Sequence, residues 1–150
     1  MNYYSTILLF LFGLVSNSQT EHFVAFTEEN VSVSSESQFV TITLPFKILE
    51  DYHIQSESKV LEDVIATEII FDDSASFDIV SYEYTLKHNE KVVLNQYVHD
   101  VLTDEFEVTV RLKVNKNISD YKLNGQLYYQ ACTDRQCLFP RTLNFQVPIN

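Results

Sequence analysis

The chain has 150 residues, 45% of them hydrophobic, and its 10 Lys and Arg stand against 21 Asp and Glu, leaving a formal charge of −11 and an isoelectric point near 4.6. A surface this acidic repels nucleic-acid phosphates and anionic lipid alike, which sets both aside as partners and favours neutral or basic protein surfaces. Its two glycines, Gly13 and Gly125, cannot build a glycine-rich phosphate cradle, so nucleotide binding is also excluded.

Residues 7–15 read ILLFLFGLV, an apolar run shorter than the roughly 20 residues a bilayer crossing takes. Ser16-Asn17-Ser18 then offers small residues at the positions a signal peptidase inspects. Residues 1–18 are therefore expected to be a cleaved signal peptide, with Gln19 as the new terminus. The stretch from Asn2 to Thr6 carries no Lys or Arg, so an uncleaved anchor is the alternative. The remaining 19–150 is the length of one domain with a single core, exported to the periplasm or secreted. Such a space is oxidising, and an even cysteine count there leaves no thiol unpaired.

From Phe23 onward the dominant period is two. Short runs at Phe23 to Phe26 and Ile65 to Phe71 accompany longer ones. Val40, Ile42, Leu44, Phe46 and Ile48 alternate with mostly polar neighbours, and Phe106, Val108, Val110, Leu112 and Val114 do the same. Val80, Tyr82, Tyr84 and Leu86 form a further run, as do Val92 to Val98, Leu123 to Ala131, and Leu143, Phe145 and Val147. Turn signals stand at Ser32 to Ser37, Asp72-Asp73-Ser74, His88-Asn89-Glu90, Asn115 to Asp120 and Asn124-Gly125. About eight short strands with no apolar helical stripe predict an all-β chain, an immunoglobulin-like β-sandwich. Pro45, inside a strand run, predicts an edge strand or a bulge there.

The four histidines, His22, His53, His88 and His99, sit in no recognisable hydrolase motif and read as surface or strand residues. Zinc needs four ligands, or three and an open position, and Cys132 with Cys137 supplies two, so no metal site is expected. These are the chain's two cysteines, and a bridge between them closes a ring worth only about 2 kcal/mol in the loop-closure model. A staple that weak directs attention to redox chemistry, with a local structural clamp as the alternative.

The run Tyr129-Gln130-Ala131-Cys132-Thr133-Asp134, followed by Cys137, Pro140 and a closing strand from Thr142 to Pro148, resembles the N-terminal periplasmic domain of the transmembrane thiol:disulfide reductase DsbD. Its spacing is Y-x-[AG]-C-x-D-x(2)-C-x-x-P. Tyr52-His53-Ile54 resembles that family's W-H-I-type strand, so the similarity covers most of residues 23–148. The resemblance implies an immunoglobulin-like sandwich with the cysteine pair at the edge of a hairpin. It implies a redox shuttle that needs no cofactor and exchanges disulfides with exported thioredoxin-fold partners, such as disulfide isomerases or cytochrome maturation factors. Cys137 would form the mixed disulfide and Cys132 would resolve it. The full reductase continues into a membrane channel and a thioredoxin-like domain, whereas this sequence stops at Asn150, so a membrane electron donor is expected to act in trans.

Around the pair, Arg135 and Arg141 are placed to stabilise a thiolate, while Asp134 opposes it or relays a proton. Tyr129 and Phe139 flank the cysteines as shields or as ordinary strand packing, and Pro140 shapes the hairpin exit. In the best-known relatives an aromatic on a mobile loop caps the disulfide, and Tyr97 is the one aromatic between Leu86 and Asp100. Two other readings stay open: a non-catalytic binding module that keeps the disulfide as a hairpin clamp, and an assembly role in which an edge strand captures partners.

Overall fold

Alternating sequence becomes paired backbone almost throughout the computed structural model, which describes residues 22–56, 64–86, 90–94, 97–115 and 121–149. In chain order the strands are β1 (Val24–Phe26), β2 (Ser32–Glu36), β3 (Phe39–Ile48), β4 (His53–Gln55), β5 (Glu68–Phe71) and β6 (Phe77–Leu86), then β7 (Glu90–Leu94), β8 (Tyr97–Leu102), β9 (Glu105–Val114), β10 (Tyr121–Tyr129), β11 (Ala131–Cys132) and β12 (Arg141–Ile149). Every pairing is antiparallel. A five-stranded sheet runs β1-β3-β9-β6, with β2 also on β3; a three-stranded sheet runs β12-β10-β5; a four-stranded sheet runs β11-β4-β8-β7.

The register of β3 on β9 sets Val40 opposite Leu112, Ile42 opposite Val110, Leu44 opposite Val108 and Phe46 opposite Phe106. Each of these side chains is 2% exposed or less, so the face that β3 and β9 share is wholly apolar. Burying a side chain of this size is worth about 1.5–3 kcal/mol, which makes this ladder the main anchor of the core. Phe145 of β12 closes the sandwich from the facing sheet, with ring centroids 5.4 Å from Phe26, 5.8 Å from Phe46 and 6.1 Å from Phe71.

Several local expectations are corrected. Twelve strands occur among the described residues rather than about eight. The segment from Val92 to Val98 divides into the β7–β8 hairpin, Leu123 to Ala131 breaks at Gln130 into β10 and β11, β2 carries too few apolar residues to register as a strand, and the strand expected around Tyr52-His53-Ile54 is β4. The serine-rich stretch read as a turn is β2, fully exposed and paired with the first half of β3; the turn is Ser37-Gln38, where Ser37 takes a φ of 55°. Serine content there reflects exposure on an edge, not absence of pairing. Asn124-Gly125 is no turn either, because Gly125 lies mid-strand between Phe71 and Phe145.

Val80 does not continue the inward run of β6. A bulge between Ile79 and Ser81 leaves Val80 51% exposed, so Ile79 pairs with Leu112 while Tyr82, Tyr84 and Leu86 pair with Val110, Val108 and Phe106. Pro45 sits in β3, a central strand, yet on a local edge. Its carbonyl accepts from the Thr27 amide at 3.0 Å, and since N and C=O of a strand residue point to one side, the missing donor faces the seam where β2 gives way to β1. Expectations for residues 1–18, for His88-Asn89 and for 116–120 lie outside the described residues. Among those described, no helix is long and apolar enough to cross a membrane.

Candidate functional site

At Gln130 the chain leaves one sheet for another. β10 ends at Tyr129, and two residues later β11 pairs with β4, setting Ala131 opposite Ile54 and Cys132 opposite His53. A short turn then reverses direction. The Thr133 hydroxyl accepts from the amides of Arg135 and Gln136, both at 3.3 Å, and the Thr133 amide donates to the Gln136 carbonyl at 2.8 Å. On the far side of the cysteines the Leu138 amide donates to the Ala131 carbonyl at 2.8 Å. Between these two backbone bonds Cys132 and Cys137 face each other as a bridge pair, with Cα atoms 4.0 Å apart and the sulfurs bonded at 2.03 Å.

Gln130 fixes this hairpin from its base. Its Nε2 donates to the Leu138 carbonyl at 2.9 Å, and its Oε1 accepts from the Ile65 amide at 3.0 Å. One side chain thus ties the return leg of the hairpin to the segment ahead of β5. Sequence reading passed over Gln130 as a strand residue, and a polar side chain at a sheet junction was the signal available.

The two cysteines differ in exposure. Cys132 is 0% exposed, whereas Cys137 is half-buried. Asp134 and Arg135 stand exposed at the tip and line a cleft of about 650 Å³, whose other walls include Tyr52, His53, Glu90 and Asp104. Two backbone positions beside this cleft, Asp51 and Asp104, hold left-handed φ values of 69° and 54°.

The remaining expected site residues separate. Tyr129 is 0% exposed and its hydroxyl accepts from the Phe23 amide at 3.1 Å, so it joins β10 to the start of β1. Burial pushes its phenol above the usual 10.0, against the backbone amides of Phe23 and Val24 and the Arg141 charge, which pull the other way. Arg141 lies over the Phe23 ring, 4.9 Å from its centroid, rather than at the tip with Arg135. Phe139 does not shield the disulfide, since its side chain is 89% exposed, and Pro140 is half-buried between the hairpin and β12. Tyr97 opens β8 opposite Leu94. His53, read as an ordinary strand histidine, is the side chain set directly across from Cys132.

No family model matches the chain, and no curated protein matches it. Solved structures do. The N-terminal periplasmic domain of ScsB from Proteus mirabilis superimposes with a TM-score of 0.57 at 18% identity, over 79% of this chain and 44% of that one. The DsbD N-terminal domain from Neisseria meningitidis, in its reduced form, gives 0.48 at 15% identity over 80% and 84%, and the yeast GGA1 GAE domain gives 0.46 at 8% over 87% and 96%. This chain spans under half of the ScsB chain, and at these identities the likeness speaks to fold alone. The chain has the fold of the ScsB N-terminal periplasmic domain, in keeping with the DsbD-type immunoglobulin-like sandwich that the cysteine hairpin implied.

Proposed function

We propose that this is an exported thiol–disulfide exchange domain that carries two electrons on Cys132 and Cys137, taking them from a membrane or thioredoxin-like reductant and passing them to exported thioredoxin-fold proteins. The observation that carries this reading is the asymmetry of the pair: one sulfur-bearing residue is sealed in the sheet and the other is half-open at a hairpin tip. Exchange needs one sulfur that a partner can reach and a second that resolves the mixed disulfide from within. Cys137 is the attacked residue and Cys132 the resolving one.

Geometry supports this in a second way. The hairpin is closed by two backbone bonds and by Gln130, so the S–S bond adds little to what already holds the two legs together. A bond that is dispensable for shape is free to be made and broken. Exchange moves electrons within sulfur–sulfur bonds and needs no cofactor. Docking would use the charged tip at Asp134 and Arg135 and the exposed Phe139, a polar and aromatic set suited to an interface.

The second reading, a binding module with a structural clamp, is favoured by the complete burial of Cys132. The reduction potential separates them. Equilibration with glutathione or dithiothreitol buffers and thiol counting should give a value between about −180 and −270 mV for a carrier, while a value below about −300 mV marks an inert bridge and overturns the exchange reading.

A further inference from the structure

We propose that His53 is the proton donor and acceptor for Cys132, an inference that rests on the exchange reading above. The two residues are register partners between β4 and β11. Residues directly opposite on an antiparallel pair project from the same face, with Cβ atoms about 4.5–5.5 Å apart. Cys132 is 0% and His53 5% exposed, so bulk water does not serve the Cys132 sulfur directly. A thiolate released there forms in a poorly solvating site, and that cost falls when a neighbouring acid supplies a proton. Imidazole is the side chain whose ordinary titration falls near neutrality.

His53 also borders the cleft, which gives the proton a way out. The charged groups lining that cleft with it are Glu50 and Asp51 before β4, Glu90 on β7, Asp104 before β9, and Asp134 and Arg135 at the hairpin tip.

The steps balance. A donor thiolate attacks Cys137 Sγ and forms a donor–Cys137 disulfide; the Cys132–Cys137 bond breaks, and its electron pair stays on Cys132 Sγ, which takes a proton from the His53 imidazolium. The donor's second thiolate attacks its own bonded sulfur, leaving as a disulfide and releasing Cys137 as thiolate. In the onward transfer, Cys137 attacks an acceptor disulfide and expels one acceptor thiolate. His53 then removes the Cys132 proton, and the Cys132 thiolate attacks Cys137 Sγ, remaking the bond and expelling the second acceptor thiolate.

The test follows reduction of the oxidised protein by dithiothreitol from pH 5 to 9, with each rate divided by the dithiothreitol thiolate concentration. Wild type should show a per-thiolate rate constant that falls as pH rises through an imidazole titration. His53→Gln should give a flat profile, slower than wild type by about tenfold or more at pH 6. Profiles that overlay in an exchange-active protein overturn the His53 role and leave the exchange reading standing; a wild-type pair that resists reduction overturns both. A second measurement needs no variant. The His53 ring resonances, titrated in the oxidised and reduced protein, should give different midpoints, and identical midpoints overturn the proposal.

Discussion

A Cβ built on Gly125 would lie 2.5 Å from Cζ of Phe145 and 2.8 Å from the Ile70 carbonyl oxygen. The missing side chain on β10 is thus what lets the Phe145 ring pack across its own strand partner and reach Phe26, Phe46 and Phe71. Gly125→Ala should destabilise the domain by about 1–3 kcal/mol, because the ring can move but the Ile70 backbone cannot. Urea unfolding at neutral pH reads this directly; an unchanged midpoint would mean that β10 and β5 separate at no cost.

Gln130 offers a sharper contrast. Gln130→Ala removes a donor to Leu138 and an acceptor from Ile65, both in part-buried surroundings, and should cost about 1–3 kcal/mol. The loss should be larger in reduced protein, where no covalent bond joins the legs. Unfolding of oxidised and reduced samples side by side checks the difference, and equal losses would show that Gln130 acts on the 64–67 segment alone.

Single-cysteine variants should be unequal. Cys132→Ser leaves Cys137 at the half-open position, and Cys137→Ser leaves Cys132 in the sheet. The first should react with an aromatic disulfide reagent about tenfold faster or more than the second, and it alone should trap a mixed disulfide with a thioredoxin-fold partner. Each should cost about 2 kcal/mol of stability through the lost ring.

Tyr129 gives a pH signature. Its folded-state pKa is raised above 10.0, chiefly by burial, so its contribution to stability is whole below pH 10 and is lost as pH rises through the folded value. Tyr129→Phe should be less stable at neutral pH by about 1–2 kcal/mol, through the unpaired Phe23 amide, and should show a shallower decline above pH 10. Thermal melts from pH 7 to 11 follow both.

Period-two alternation in β3 and β9 made the central ladder legible, because each of those strands has one fully buried face and one that is more exposed. β2 escaped since both of its faces are wet, and the Val80 bulge escaped since one extra residue leaves no mark on composition. At the candidate site the Cys132–Cys137 bridge was legible from spacing, and the exposed position of Asp134 from its place between the cysteines. His53 and Gln130 were not, because one reaches the pair through a register between segments far apart in the chain and the other through its side-chain amide. Tyr129, Arg141 and Phe139 lay close in sequence and were assigned to the pair on that ground, whereas the pleat of β10 sends the first to Phe23 and the loop ahead of β12 leaves the last in solvent.

The bonds that close the hairpin carry one more consequence. Thr133 with Gln136, Ala131 with Leu138, and Gln130 at the base hold the two legs at one spacing without help from sulfur. If the pair exchanges as proposed, oxidised and reduced forms should present nearly the same outline, so that a visiting protein would have little shape by which to tell a loaded carrier from an empty one. On the exchange reading, discrimination falls to reaction rates at Cys137, and a spent carrier would compete with a charged one for the same docking surface.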